Sequence, residues 1–314
     1  MHGLRVPKKE GEKVRQVLVE KELLLPHYRI KRDDTYLYFP VREGIPGYDL
    51  VDCAFEERKS HPESVKKFGL SSFDIIGDIA VVDIPDDMES KKMEIAQALL
   101  QRKPIHTVVE KVSKVQGEYR VRAFNHLLGE KKTETVHTEY GLKFHVSINT
   151  VYFNPRLSTE RMRIAQEIQP GELVTDMFCG IGPFSLMISR YSQAEKIYAI
   201  DINPEAITLL EENIALNNIK NVIPILGDAK EKVPSIGHVD RIIMNLPHNT
   251  LEFLPLALQY GDVIYYYTIT SDIQGEIDRM VALDAPPFNI CGYRTVKSYS
   301  PDMEMYRIDI ETLT

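Results

Sequence analysis

Hydrophobic and polar positions change their spacing along the chain, and the changes divide it. From residue 170 onward short apolar runs alternate with segments of helical period. Strands are expected at Leu173, Ile197, Val222, Arg241 and Val263, with helices near Phe184, Pro204, Leu251 and Ile273. Two strands close the run, residues 290–296 and 305–310, joined by a turn at Ser300-Pro-Asp. This alternation predicts a mostly parallel, seven-stranded sheet covered by helices, with a final hairpin adding an antiparallel strand. Nearer the N-terminus, residues 14–25 have an amphipathic helical pattern stopped by Pro26, and residues 28–31 and 36–41 alternate about an Asp33-Asp34 turn. Residues 43–49 break both periods and are the linker candidate. Beyond them, a strand pair at 73–84, a helix at 91–100, a strand at 107–112 and alternating runs at 119–124 and 142–148 predict an α+β domain with one wet, basic sheet face. The expected fold class is α/β: small α+β domains at 1–50 and 63–150, then a doubly wound, Rossmann-like domain at 151–314.

The chemistry concentrates where the third domain begins. Residues 173–178 read as a buried strand, Cys179-Gly-Ile-Gly182 as a tight turn, and the apolar face of the following segment as a helix. Gly180 and Gly182 let backbone approach a ligand without a Cβ in the way. Asp201, closing the next strand, stands where an open α/β sheet grips a ribose. A dinucleotide is disfavoured: Pro183 removes an N–H that a pyrophosphate would use, and Asp176 just before the turn repels phosphate. A nucleoside with a cationic end suits the turn better, and S-adenosylmethionine has a sulfonium, an ammonium and two ribose hydroxyls. The plainer alternative is a solvated Asp176 and glycines that only make a turn.

Charge alters the picture more than composition does. The net charge of −8 is uneven: residues 1–43 carry 10 Lys and Arg against 7 Asp and Glu, and residues 101–166 carry 12 against 6. A polyanion would meet those blocks first, unless charge simply varies along the surface. Cys53, Cys179 and Cys291 are isolated, forming neither a disulfide framework nor a metal-ligand cluster, so no metal is expected. No apolar run reaches the roughly 18 residues of a membrane span, and the N-terminus lacks a signal-peptide core, so a soluble, cytoplasmic protein without membrane contact is expected.

Strand ends along one edge of such a sheet converge on the ligand crevice. Asp201 is expected to take the ribose hydroxyls and Asp228 the adenine amino group, with Phe178, Cys179, Ile202, Ala229 and Pro247 in the same crevice. Asn245, in Asn245-Leu-Pro-His248, is left facing the acceptor; its amide suits a nucleobase edge, or it caps the helix starting near Thr250. Amine-methylating enzymes commonly have Asn-Pro-Pro-aromatic here, and the departure favours a ring nitrogen. In residues 151–163, Ser158 is a plausible N-cap that puts Glu160 and Arg161 in a first helical turn, where the dipole favours a carboxylate.

Taken together, Tyr152-Phe-Asn-Pro-Arg-Leu-Ser-Thr-Glu-Arg161, Asp176-Met-Phe-Cys-Gly-Ile-Gly-Pro-Phe184 and Asn245-Leu-Pro247 resemble the archaeal and eukaryotic tRNA guanosine-37 N1-methyltransferases over nearly the whole chain. The resemblance implies a class I methyltransferase domain and a monomeric enzyme that uses S-adenosylmethionine on tRNA. Its small N-terminal domain would contact the outer corner of the tRNA and the catalytic domain the anticodon loop. It implies Glu160 as general base, Arg120 on guanine O6 and Asn245 on the base edge. Tyr152, Arg156 and Arg161 would place the nucleotide and its backbone. Relatives act instead on a tricyclic wyosine precursor at the same position, by carbon methylation or aminocarboxypropyl transfer. Asn245-Leu-Pro247 argues for methyl transfer, while a non-catalytic RNA-binding module would tolerate changes at Glu160, and a small-metabolite enzyme would leave the accessory domains without a role.

Overall fold

The structure, a computed structural model, describes residues 2–21, 23–25, 28–55, 70, 73–112, 123–300 and 302–313. The chain forms two compact units, Met1–Lys67 and Phe68–Thr314.

In the first unit, β1 (His2–Pro7) is followed by α1 (Gly11–Glu20), β2 (Lys31–Arg32), β3 (Tyr36–Pro40) and β4 (Asp49–Asp52), with sheet order β2-β3-β1-β4. Leu4 and Val6 of β1 point to one side, as a period of two requires, and meet Val14 and Leu18 of α1 with Phe39 and Val41. The helix ends at Glu20, earlier than its apolar pattern suggests. Leu23 and Leu24 still pack on the core, as a non-helical segment. The linker candidate at 43–49 packs within the first unit. Ile45 and Tyr48 pack on the same core, the Tyr48 hydroxyl donates to Glu10 (2.8 Å), and β4 pairs with β1.

The second unit opens with β5 (Phe73–Ile76), β6 (Ile79–Val82), α2 (Lys92–Leu100), β7 (Thr107–Lys111) and β8 (Phe124–Gly129), in sheet order β5-β6-β7-β8. All four residues of β6 are buried, so this strand has no wet face. The expected alternation survives on β10 (Leu142–Ser147), which pairs with β9 (Glu134–Glu139) in a separate ribbon and exposes Lys143 while burying Leu142, Phe144 and Val146. The run expected at 119–124 lies, but for its last two residues, outside the described residues.

The rest is α3 (Ser158–Glu167), β11 (Leu173–Asp176), α4 (Pro183–Tyr191), β12 (Lys196–Asp201), α5 (Pro204–Leu216), β13 (Val222–Leu226), α6 (Ala229–Ile236), β14 (Val239–Met244), α7 (Thr250–Tyr260), β15 (Gly261–Thr270), α8 (Ile273–Val281), β16 (Phe288–Ser300) and β17 (Met303–Thr312). The seven-stranded sheet runs β13-β12-β11-β14-β15-β17-β16; the first five strands are parallel, and β17 is antiparallel to both its neighbours. Alternate residues of the strands feed two cores. Val174, Ala199, Ile243, Tyr265 and Tyr267 join residues of α3, α4 and α5, while Ile200, Ile242, Met244, Tyr266 and Ile308 join those of α6, α7 and α8. The first of these cores also takes in Ile79, Val81, Leu142 and Phe144, so the ribbon and the smaller sheet share it.

The ribbon is fastened by two asparagines one turn apart, Asn213 within α5 and Asn217 at its C-cap. Asn213 accepts from the His145 N–H (2.6 Å) and donates to the His145 carbonyl (3.2 Å). Asn217 does the same for Lys143, at 2.8 and 2.6 Å. Their amides replace the missing neighbour strand of β10, so backbone groups buried at the junction are satisfied. Asn213→Ala leaves several of these unpaired and should destabilise the protein by about 2–4 kcal/mol, read as a lower midpoint in urea unfolding.

Candidate active site

The strand order reverses between β11 and β14, and the crevice at their carboxyl ends is the ligand position of a doubly wound sheet. β11 ends at Asp176, two residues before the expected strand end, and Met177 onward form the turn. Gly180 (φ +55) and Gly182 (φ +83) both adopt the left-handed conformation that glycine permits. A Cβ on Gly182 would strike Leu210 at 2.3 Å, so this position requires glycine twice over. Pro183 then starts α4, where its missing N–H costs nothing.

Asp201 shapes the turn from the next strand. Its carboxylate accepts from the Gly180 N–H (2.7 Å) and the Asn203 N–H (2.9 Å). Burial raises its carboxyl above the ordinary value, opposed by those two amides. Asp176 is 1% exposed, and only its Oδ2 is engaged, by the Ser185 hydroxyl at 2.8 Å. Its Oδ1 has no partner. Burial pushes its carboxyl up to about 7, the Ser185 bond opposing and Asp201 adding to the rise. Burial likewise pushes the Cys179 thiol well up, which makes it a lining residue and a poor nucleophile. Asp228 caps α6, accepting from the Lys230 N–H at 2.9 Å, with buried Ala229 beside it. Ile202 and Pro247 are half-buried, and half-buried Phe178 meets Phe253 edge-on at 4.9 Å.

Asn245 follows β14. It does not cap helix α7, whose N-cap position is Asn249 with no side-chain cap bond; the Thr250 hydroxyl shares its proton between the Leu246 and Tyr267 carbonyls. The Asn245 Oδ1 is buried and has no partner. An unfilled carboxylate oxygen and an unfilled amide oxygen are acceptors for a cation and a donor. Together with Asp201 they fit an ammonium-bearing nucleoside and repel a pyrophosphate.

The segment leading to α3 lies across the glycine turn. A Cβ on Gly180 would come within 3.7 Å of the Tyr152 carbonyl, and Asn203 Nδ2 donates to the Thr150 carbonyl at 2.9 Å. Asn154, not Ser158, supplies the cap: its side chain accepts from the Arg156 N–H (3.1 Å) on a short 3-10 turn that runs into the helix at Ser158. Tyr152 is exposed and its hydroxyl accepts from Asn154. Arg156 is exposed and pairs with Asp74. Arg161 is 2% exposed: its Nη1 reaches both Glu139 oxygens (2.6 and 2.7 Å), Nη2 reaches the Asn154 carbonyl (2.7 Å), and its plane lies over Phe153 and Phe184. It therefore sits buried beneath the Tyr152–Arg156 segment.

Glu160, also 2% exposed, occupies the first turn of α3. Tyr267 donates to its Oε1 at 3.0 Å and Arg307 at 3.3 Å, and Arg163 pairs with Oε2. Tyr267 and Arg307 have no counterpart in the sequence reading. Their signal is an arginine at an inward position of the alternating Met305-Tyr-Arg-Ile-Asp-Ile310, and three successive tyrosines in a buried strand. Arg120 lies outside the described residues. Among the described residues, no group of three or more His, Cys, Asp or Glu could hold a metal, and no helix is long and apolar enough to cross a membrane.

Comparison with known proteins agrees with this geometry. The TRM5/TYW2 methyltransferase domain matches residues 135–284, the tRNA methyltransferase 5 N-terminal domain residues 3–49, and the TYW2 N-terminal domain residues 58–133. The tRNA (guanine(37)-N(1))-methyltransferase Trm5b of Pyrococcus abyssi is 40% identical, with 98% of both chains covered. This chain belongs to the tRNA (guanine-37-N1)-methyltransferase family. The solved complex of aTrm5 and tRNALeu superposes at a TM-score of 0.75 with 35% identity, covering 100% of both chains. A more distant branch includes the tRNA(Phe) (4-demethylwyosine(37)-C(7)) aminocarboxypropyltransferase of Methanocaldococcus jannaschii, 33% identical over 72% of this chain and 92% of that protein.

Proposed function

We propose that this enzyme transfers a methyl group from S-adenosylmethionine to N1 of guanosine 37 in tRNA, with Glu160 as the general base. One observation carries the reading: the segment that ends in the buried carboxylate of Glu160 lies over the glycine turn of the cofactor crevice, so base and methyl donor share a wall. Asp176 would meet the cofactor's ammonium, Asp201 its ribose and Asp228 its adenine, with Phe178, Cys179, Gly180, Gly182, Ile202, Ala229 and Pro247 lining the crevice. When bound, the cofactor supplies a sulfonium-activated methyl group. N1 of guanine carries a proton and is a weak nucleophile until that proton leaves, so Glu160 accepts it as the bond forms. Negative charge then grows on O6, where the family resemblance puts Arg120. Asn245 Oδ1 accepts from the base edge and fixes the orientation of a base drawn out of its loop. Arg161 holds the Tyr152–Arg156 segment from below.

Arg156, Lys297 and Lys111 surround the single carboxylate of Asp74, a cationic excess suited to a phosphodiester. Burial brings the Lys297 ammonium down to about 8, with Arg156, Arg161 and Lys111 adding to the drop and Asp74 opposing it. A lowered ammonium is charged below its pKa and lost above it. RNA affinity should therefore fall as the pH rises through about 8. Lys297→Ala should remove that dependence, weaken binding roughly 3–10-fold and reduce the slope of log K against log salt by about one. Filter binding at several salt concentrations and pH values checks this.

The three-part division at 1–50, 63–150 and 151–314 is proposed as a division of labour. The first module takes the outer corner of the tRNA, which its open depression lined by Lys8, Arg15 and Arg32 against the single carboxylate of Glu12 supports, and the catalytic part takes the anticodon loop. We place the enzyme in the cytoplasm as a monomer. A wyosine precursor at the same position is the second reading, favoured by the aminocarboxypropyltransferase relative. An unmodified transcript with guanosine at position 37, incubated with cofactor labelled separately in the methyl group and in the carboxypropyl chain, separates the two: methyl label alone should enter, and chain label entering or no label entering would overturn the proposal.

A further inference from the structure

Resting on the assignment of Glu160 as base, we infer that its two oxygens have different tasks. Oε1 is anchored from inside the protein by Tyr267 and Arg307, while Oε2 is the working oxygen that Arg163 covers until the guanine arrives. The anchors are neighbours across a strand pair, Tyr267 of β15 opposite Arg307 of β17, and both are fully buried. Arg307 is itself fixed on three further sides. Its Nη2 donates to both oxygens of Glu167 (3.0 Å) and to Asp309 (2.8 Å), and its plane lies 4.9 Å from the Tyr265 ring. Arg294 closes the set beside Glu167 and Asp309. Burial pushes the Tyr267 phenol well above its ordinary value, Glu160 adding to the rise, so it remains a donor through the working range. These groups have no route to rotate away without leaving charge unpaired in the core.

Arg163 differs. Its side chain is 40% exposed, it sits one turn along the same helix from Glu160, and Glu160 is its only salt-bridge partner among the described residues. Swinging it into water opens Oε2 at small cost. Tyr267 and Arg307 are thus positioning residues, and Arg163 is a cover over the resting base.

Single-turnover methylation read at saturating and at limiting tRNA tests this, because anchors act in the bound complex and a cover acts only until the base arrives. In Tyr267→Phe the rate at saturating tRNA and cofactor should fall roughly tenfold while tRNA affinity changes less than about threefold. Arg307→Lys should act the same way but less, since an ammonium keeps the charge and loses the fork. Arg163→Met should change the rate at limiting tRNA far more than the rate at saturating tRNA. An unchanged saturating rate in Tyr267→Phe and Arg307→Lys, with Glu160→Gln inactive, would overturn the anchoring while leaving the base assignment intact. An effect of Arg163→Met as large at saturating as at limiting tRNA would overturn the cover. Full activity in Glu160→Gln would remove the base assignment on which both depend.

Discussion

Glu160→Gln should lower the single-turnover rate of methylation on the order of 10²–10⁴-fold while changing tRNA affinity less than about threefold, the pattern of a lost general base. The asymmetry follows from the position of the side chain. At 2% exposure Glu160 offers nothing to an RNA backbone in solution, and a glutamine oxygen can still accept from Tyr267 and Arg307, with its NH2 turned toward the half-exposed Arg163. Glutamine therefore keeps one oxygen acceptor and the shape, and loses the capacity to take the N1 proton. The remaining rate measures what orientation of the base and stabilisation of O6 supply without it. Quench-flow at saturating tRNA and cofactor gives the rate, and filter binding gives the affinity. A loss shared equally between rate and affinity would assign Glu160 to nucleotide binding.

Asp176→Asn should have two opposite effects. Cofactor affinity should fall roughly 10–100-fold, the cost of losing a charged partner for the ammonium. The cofactor-free protein should become more stable above neutral pH. Asp176 titrates at about 7 in the fold against 3.8 ordinarily, chiefly because it is buried. The folded state therefore holds a proton that the unfolded chain releases between about pH 4 and 7, and stability declines as pH rises through that window by on the order of a few kcal/mol. Asparagine has no proton to lose. Thermal midpoints of the cofactor-free proteins from pH 5 to 8.5 should diverge, the variant staying level while the natural protein drops. Parallel curves would contradict the placement of an ionisable, half-partnered carboxylate in the crevice. Asp176 then costs the fold stability that binding recovers, as buried charges at functional sites do.

Local patterns carried much of the fold. The alternation of apolar strands with helical-period segments is a near-neighbour property, and it is legible from Leu173 to Ile310 because each element buries its own face. Asp176, Gly180, Gly182, Asp201 and Asn245 were readable for the same reason: each stands at a strand end or turn where residue type is restricted. Elements whose existence depends on distant partners were not. β1 pairs with β3 and β4, which start more than thirty residues after it does, and β4 starts at the last residue of what reads as a linker, whose Gly and Pro mark the bend leading into it. α6 carries Pro234 in its interior, which obscured its pattern. The cap at Asn154 was hidden by Ser158, an equally good cap by type that lies one 3-10 turn too late. Asn213 and Asn217 look like polar positions on a helix, and only the fold reveals that they complete the edge of β10. Tyr267 and Arg307 surround Glu160 from 107 and 147 residues away, a separation no periodicity spans.

The most direct measurement is nucleoside mass spectrometry of tRNA incubated with the purified enzyme and S-adenosylmethionine, using transcripts that carry guanosine or adenosine at position 37. One-methylguanosine should form from the guanosine transcript alone and should vanish with Glu160→Gln. A methyl group on another nucleoside, an aminocarboxypropyl product, or one-methylguanosine formed equally by Glu160→Gln would contradict methylation of N1 by a buried carboxylate base.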